Sequence, residues 1–182
     1  DIVLGGAWVQ ENKLDIAYIT DPQTITYTKT LGANLITKTI TLYPDNFIID
    51  IDIDLAGATN DILGNTFSVG WGGGLPTTEK DSVVDKTYFG AFLYQGGELL
   101  DIKAGTNESF KNEYKGQTDW AAIRTKYFVA AILENGSNRI SAATVSASNT
   151  TQELYDVSVS LSSLETANLS LYLGPLEYDR IK

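Results

Sequence analysis

The sequence predicts an all-β protein of two packed layers whose strands are mostly antiparallel. Three observations support this: Leu35 to Leu55 alternates apolar and polar residues, β-branched and aromatic residues are abundant, and short turn signals separate the other apolar runs. Alternation with a period of two places one set of side chains on each face of an extended strand. A strand pair with one long apolar face needs a second layer to cover it.

The stretch from Leu35 to Leu55 predicts a β-hairpin with arms 35–43 and 47–55. Pro44, Asp45 and Asn46 supply turn chemistry between the arms. With Asp45-Asn46 as the loop, the expected partners are Leu42 and Ile49, Ile40 and Ile51, Ile36 and Leu55, and Thr41, Thr39 and Thr37 opposite Asp50, Asp52 and Asp54. A Pro44-Asp45 loop shifts this register by two and keeps both faces. We expect four residues to be buried (Ile40, Leu42, Ile49 and Ile51) and two to be exposed (Asp50 and Asp52), whereas Lys38 falls on the apolar side.

The remaining apolar runs predict further strands. Gly96-Gly97 is a strong hairpin signal between two of them. Residues 104–118 are predicted as a polar excursion with Phe110 and Tyr114 as anchors. The predicted strands are 14–20, 24–28, 66–71, 86–95, 98–103, 139–148, 151–162 and 168–173.

Residues 119–133 are ambiguous between helix and strand. Trp120, Ile123 and Tyr127 fit a helical stripe, and the alanines of the segment favour helix. A period of two fits equally well, with Trp120 and Phe128 on one face and Tyr127 and Val129 on the other.

Composition restricts the possible functions. The 182 residues are long enough for one domain with a sizeable core. The formal net charge of −10 argues against nucleic acid and anionic lipid as partners. Histidine and cysteine are absent, which excludes Ser-His-Asp and Cys-His nucleophile systems. We therefore expect no metal, no cofactor and no turnover of sugars.

Several residues could still carry chemistry. Asp50, Asp52 and Asp54 could offer oxygen ligands to calcium, but a straight strand spaces carboxylates widely, so a solvated face is the favoured interpretation. The 23 acidic residues leave a paired-carboxylate glycosidase formally open. Gly70–Pro76 is favoured as a turn over a phosphate loop. The three tryptophans, which could stack on sugars but are more typical of a core, are Trp8, Trp71 and Trp120.

Three segments in order carry a family resemblance. DWAAIRTKYFVAAIL follows YFGAFLYQGGELLDIK and precedes LSLYLGPLEYDRIK, and the opening hairpin adds a further likeness. The positions that match the family pattern are Trp120, Tyr127, Phe128, Ala131, Tyr172, Gly174, Pro175 and Tyr178. In these segments the chain resembles the periplasmic domain of YidC-type bacterial membrane-protein insertases.

The resemblance implies a β-supersandwich, the fold of galactose mutarotases, and one long strand for 119–133. It implies that residues 1–182 form a single periplasmic domain of an inner-membrane protein, with membrane-spanning segments on both sides. Family members have more strands before the hairpin than the residues ahead of Asp21 can supply, so we expect the first strands to be lacking.

For function, the resemblance implies a non-catalytic domain that acts as a scaffold or contact surface for Sec translocon components or emerging membrane-protein substrates, with no cofactor. Mutarotases use histidines, which this chain lacks, so the fold does not transfer their chemistry. The alternative is a cell-surface carbohydrate-binding or adhesion sandwich, which would show exposed aromatic residues lining a groove. A glycosidase would show two carboxylates facing across a cleft.

The net charge also predicts how the domain meets a membrane. Like charges repel over about a Debye length, ~8 Å at physiological salt, so an acidic body stands off an anionic bilayer. We expect membrane attachment only through segments outside this chain.

Overall fold

The computed structural model describes residues 9–11, 20–61, 66–78, 84, 86–105, 108–136, 139–149, 153–162 and 165–176. This part of the chain forms one 3-10 helix (Ala56–Asp61) and twelve strands. The strands are β1 (Val9–Gln10), β2 (Gln23–Leu31), β3 (Asn34–Leu42), β4 (Ile48–Asp54), β5 (Phe67–Trp71), β6 (Gly90–Gln95), β7 (Glu98–Ile102), β8 (Phe110–Arg124), β9 (Phe128–Glu134), β10 (Ile140–Asn149), β11 (Glu153–Leu161) and β12 (Thr166–Pro175).

The strands form two layers joined through β8. The second half of β8, from Trp120 to Arg124, pairs with β6 and β9, whereas its first half, from Phe110 to Thr118, pairs with β10. The large layer therefore has the order β1-β2-β3-β4-β12-β9-β8-β6-β7, and the small layer has the order β8-β10-β11-β5. Each pairing among these strands is antiparallel, which confirms the predicted all-β, two-layer class.

One glutamine side chain forms hydrogen bonds with the backbone carbonyl groups where β8 passes from one layer to the other. Gln95 Nε2 donates to the carbonyl oxygens of Tyr114 (3.2 Å) and Gly116 (3.3 Å) and to Thr118 Oγ1 (2.9 Å). Thr118 is fully buried, and its hydroxyl donates to the Gly116 carbonyl. Gly116 has a φ of 136°, a conformation that favours glycine. The strand can therefore bend here without leaving buried polar groups unpaired.

The main core lies between the small layer and the β12-β9-β8-β6 part of the large layer. Alternate residues of each strand point inward, as the pleat requires. The largest fully buried side chains of this core are Leu93, Ile123, Ile140, Val145, Val157, Val159, Leu161 and Leu169. Beside them Ile36, Leu55 and Ala58 form a smaller cluster where the 3-10 helix packs on β3.

The predicted hairpin register is confirmed for the Asp45-Asn46 loop. Leu42 pairs with Ile49 and Ile40 with Ile51, while Thr41, Thr39 and Thr37 face Asp50, Asp52 and Asp54. Asp45 adopts a φ of 53°, as a tight turn requires. The burial prediction needs correction: Ile40, Leu42, Ile49 and Ile51 are half-buried, as is Asp50, whereas Asp52 is exposed. The difference arises because β3 and β4 lie beside the main core.

Two other predictions are corrected. Residues 104–118 are not an excursion, because β8 begins at Phe110, although Phe110 and Tyr114 do pack against the core. Residues 119–133 are extended, which agrees with the family resemblance, but they form a hairpin and not one strand. The turn breaks the period of two, so Trp120 shares a face with Val129 and not with Phe128. Trp8 and all but the last residue of the predicted strand 14–20 lie outside the described residues.

We expect Ile36→Ala to destabilise the domain more than Ile51→Ala. Ile36 is 0% exposed against Leu55 and Ala58, so truncation leaves a cavity that costs about 2–5 kcal/mol. Ile51 occupies the neighbouring strand on the same face but is half-buried, so its loss should cost less. Urea unfolding of both variants measures the difference, and equal losses would contradict the assignment of burial.

Candidate functional site

The described family-pattern residues come together on neighbouring strands of the large layer. Ala131 of β9 is the cross-strand partner of Tyr172 of β12, and Phe128 is the partner of Pro175. The Tyr127 carbonyl accepts a hydrogen bond of 2.7 Å from the Leu176 amide. Tyr178 lies outside the described residues. We call the pairing of β9 with β12 the β9–β12 seam.

A tight turn joins β8 to β9 at one end of this seam. The Thr125 amide donates to the Phe128 carbonyl (2.8 Å), and the Phe128 amide donates to Thr125 Oγ1 (3.1 Å). Thr125 is 1% exposed, so these bonds satisfy a buried hydroxyl. The turn holds the Tyr127 and Phe128 side chains outward, each 44% exposed.

Gly174 lies beneath two aromatic rings. A Cβ atom there would meet Phe47 Cγ at 2.8 Å and Tyr172 Cζ at 2.9 Å. The two rings meet edge to face, with centroids 6.2 Å apart, and the Tyr172 hydroxyl donates to the Pro175 carbonyl (2.8 Å). The Leu173 amide donates to the Phe47 carbonyl (2.9 Å). These contacts fix the β3–β4 turn against the end of β12.

A second apolar cluster lies on the outer face of the large layer. Tyr94 and Trp120 stack with centroids 6.0 Å apart, and the Arg124 guanidinium lies 5.1 Å from the centroid of Phe92. Phe92 and Trp120, with Leu133 and Leu176, pack against small residues that are almost fully buried, namely Ala122, Val129 and Ala131. Trp120 is thus half-buried against this outer cluster and lies outside the main core.

Asp50, Asp52 and Asp54 form a row along β4, and their carboxylates accept hydrogen bonds from β12 and from nearby residues. Asp50 Oδ1 accepts hydrogen bonds from the Ser170 hydroxyl (2.7 Å) and Asn135 Nδ2 (3.3 Å). Asn168 Nδ2 donates to Asp52, and the Ala56 amide donates to Asp54 Oδ1 (2.9 Å). Among the described residues, no group of three or more acidic side chains could hold a metal ion. The row acts as a polar ladder that joins β4 to β12.

Asp50 also perturbs a tyrosine. The Tyr43 hydroxyl donates to Asp50 Oδ2 at 2.7 Å. That hydrogen bond raises the pKa of Tyr43 above its ordinary value of 10.0, because deprotonation would break the bond. Desolvation and the negative charges of Asp50 and Asp52 act in the same direction.

The small layer carries an open depression of about 310 Å³ on its outer face. Its lining is mostly small and polar: Gly70, Trp71, Gly72, Lys111, Thr144, Ser146, Asp156, Val157 and Ser158. Trp71 packs against the core and donates from Nε1 to the Gly74 carbonyl (2.9 Å). Asp156, the one carboxylate in this lining, accepts from the Gly73 amide (2.7 Å). Neither an aromatic platform nor a pair of carboxylates forms at this depression.

Sequence reasoning missed the roles of Phe47 and Gln95. Phe47 has the parity of the apolar face, so the pattern placed it at the start of the second arm on that face, whereas it lies in the turn with 38% exposure. Gln95 precedes the hairpin glycines, and its role where β8 changes layer could not be predicted from the sequence. Its hydrogen-bond partners lie about twenty residues further along the chain.

The pairing pattern, the core and the seam define an all-β sandwich domain. The YidC periplasmic domain family model matches residues 7–182. Since this match covers nearly the whole sequence, the chain belongs to the YidC periplasmic domain family. The family places the domain on the periplasmic side of the inner membrane.

Three relatives illustrate the match, and each is named membrane protein insertase YidC. The protein of Chlorobium limicola is 34% identical over 146 residues, which cover 76% of this chain and 25% of the relative. That of Pelodictyon phaeoclathratiforme is 32% identical over 145 residues, with the same two shares. That of Chlorobaculum tepidum is 29% identical over 190 residues, covering 94% of this chain and 29% of the relative. The chain thus spans about a quarter of the length of these relatives.

Across the described part of the chain, no helix has both the length and the apolar character that a membrane span requires.

We expect Gly174→Ala to destabilise the domain by about 1–3 kcal/mol, because the new methyl group overlaps the Phe47 and Tyr172 rings. Gly72→Ala is the matched control, since the nearest atom to its Cβ is Asp156 Oδ1 at 3.8 Å. Thermal unfolding compares the two. A Phe47→Ala background should reduce the cost at Gly174, and an unchanged cost there would contradict the steric account.

Tyr43→Phe should change how stability depends on pH. A raised folded-state pKa stabilises the protein below the unfolded pKa, and this contribution is lost as the pH rises through the folded pKa. The difference in free energy of unfolding between wild type and Tyr43→Phe should therefore be constant up to about pH 10 and shrink above it. Denaturant titrations at several pH values measure it. A difference that grows above this pH would contradict the hydrogen-bond assignment.

Proposed function

We propose that this chain is the non-catalytic extracytoplasmic domain of a membrane-protein insertase. It serves as a scaffold or contact surface for Sec translocon components or for emerging membrane-protein segments. The observation that carries the proposal is the match of residues 7–182 to the YidC periplasmic domain family. Relatives of this chain are insertases about three times its length, so the work of insertion is assigned to the rest of such a protein.

The arrangement of polar residues supports a contact role over catalysis. The aspartates of β4 and the polar groups where β8 changes layer form hydrogen bonds with other side chains or with the backbone. These bonds stabilise the fold and occupy the groups that catalysis would need. The depression on the small layer offers neither feature expected of the carbohydrate-binding or glycosidase alternatives. No described feature favours either alternative over the contact role.

Two exposed leucines are the apolar positions best placed to meet another polypeptide. Leu35, at the start of β3, and Leu99, in β7, are each 59% exposed. Leu99 lies in a strand that pairs only with β6 among the described strands, so it stands at an edge of the large layer. Apolar side chains at a strand edge suit contact with an extended chain.

Photo-cross-linking in the full-length insertase tests this role. A photoreactive amino acid at Leu35 or Leu99 should cross-link to translocon subunits or to a membrane protein arrested during synthesis. The control position is Glu113, exposed on the small layer. Deletion of residues 20–176 should also slow or misdirect insertion of dependent substrates. Absence of cross-links at both leucines, with unchanged insertion after deletion, would refute the proposal.

A further inference from the structure

Five of the eight exposed large apolar side chains in the described structure lie at one end of the large layer. We call this the aromatic end, formed by Phe47, Ile48, Tyr88, Tyr127 and Phe128. Each is 36% to 44% exposed. Single exposed apolar residues are ordinary, but a concentration at one end marks an interaction surface.

The strand pairing explains why these residues meet. Ile48, at the start of β4, pairs with Tyr172, close to the end of β12, and Phe128, at the start of β9, pairs with Pro175. Arg124, at the end of β8, pairs with Gly90, at the start of β6, two residues after Tyr88. Antiparallel order therefore brings three strand starts and two strand ends to one edge of the layer.

The two ends of the large layer differ in charge among the described residues. The opposite end, which we call the acidic end, carries five carboxylates and two cations: Asp54, Glu98, Asp119, Glu134, Glu165, Lys29 and Arg139. The aromatic end carries four cations, Lys86, Lys103, Arg124 and Lys126, and four carboxylates, Asp21, Asp45, Asp101 and Glu108. In a chain with a net charge of −10, this is an end at which cations balance anions.

Cations and aromatic rings are interleaved at the aromatic end. Lys126 Nζ lies 4.7 Å from the ring centroid of Tyr127 and 5.8 Å from that of Tyr88. Arg124 Nε donates to the Tyr88 carbonyl at 3.4 Å. Tyrosine and lysine each combine an apolar body with a polar tip, and this chemistry suits the boundary between headgroups and acyl chains.

We propose that the aromatic end touches the headgroup region of the lipid bilayer and orients the domain, with the acidic end pointing away from the membrane. The inference rests on the proposed function, because the domain must already be held near the membrane by the rest of the insertase. It modifies the expectation that membrane contact lies wholly outside this chain. The acidic body still stands off, and one end makes the contact.

The chain has no cysteine, so single cysteine substitutions can be labelled cleanly. The full-length insertase, with any cysteine outside these 182 residues replaced, is reconstituted in vesicles of phosphatidylethanolamine and phosphatidylglycerol. Phe128→Cys and Tyr88→Cys each carry the environment-sensitive fluorophore NBD. Leu99→Cys, at an exposed apolar site towards the acidic end, is the matched control. Quenching by headgroup-attached spin-labelled lipid is compared with quenching by aqueous iodide.

We expect NBD at residues 128 and 88 to be quenched by the lipid spin label, and NBD at residue 99 to be quenched by iodide alone. Iodide quenching alone at residues 128 and 88 would overturn it, because the end would then face water. Protection from both quenchers would overturn it too, because a protein surface would then cover the end. Since cross-linking at Leu35 and Leu99 is a separate readout, either failure leaves the proposed function independently testable.

Discussion

The constraint on which the rest of the structure depends is that β8 belongs to both layers. Its second half pairs with β6 and β9 and its first half with β10, so the two layers cannot separate without breaking one strand's hydrogen bonds. Thr118 is fully buried at the crossing point, and an unpaired hydroxyl there would be costly. Gln95 removes that cost by donating to two carbonyl groups and to Thr118. Because β8 is continuous, it fixes the position of the large layer relative to the small layer.

The β9–β12 seam brings aromatic residues together at one end of the large layer. Phe47 packs over Gly174 and Tyr172, which holds the β3–β4 turn beside the β8–β9 turn and gathers exposed aromatic residues at one edge. Along β4 the aspartates bond to β12, so acidic residues contribute to strand register as well as to net charge. The two turns thus bring exposed aromatic residues to one end of the large layer, and the ladder of Asp50 and Asp52 joins β4 to β12 between the two ends.

Local sequence patterns predicted the structural features that depend on residues close together in the chain. The hairpin of β3 and β4 was predicted in its register, because both arms alternate over a long run and the turn residues are specific. The prediction of a polar excursion at residues 104–118 was wrong, because the first half of β8 is polar and pairs with β10, which is distant in sequence. The faces of 119–133 were wrong because Thr125 forms a turn in the middle of the segment, where no Gly, Pro, Asn or Asp residue marks one. The family-pattern residues were predicted as a set, but the packing of Phe47 on Gly174 depends on tertiary contacts that no local pattern reports.

Native-state hydrogen exchange across residues 110–124 tests most directly whether β8 joins the two layers into one body. Amides in a shared strand open together with its partners in one cooperative unit. The account predicts that amides of both halves of β8, with those of β9 and β10 bonded to them, exchange slowly and share one dependence on denaturant. Fast exchange in the first half of β8 and in β10, with protection confined to the second half and β9, would show that the layers open independently and would contradict it.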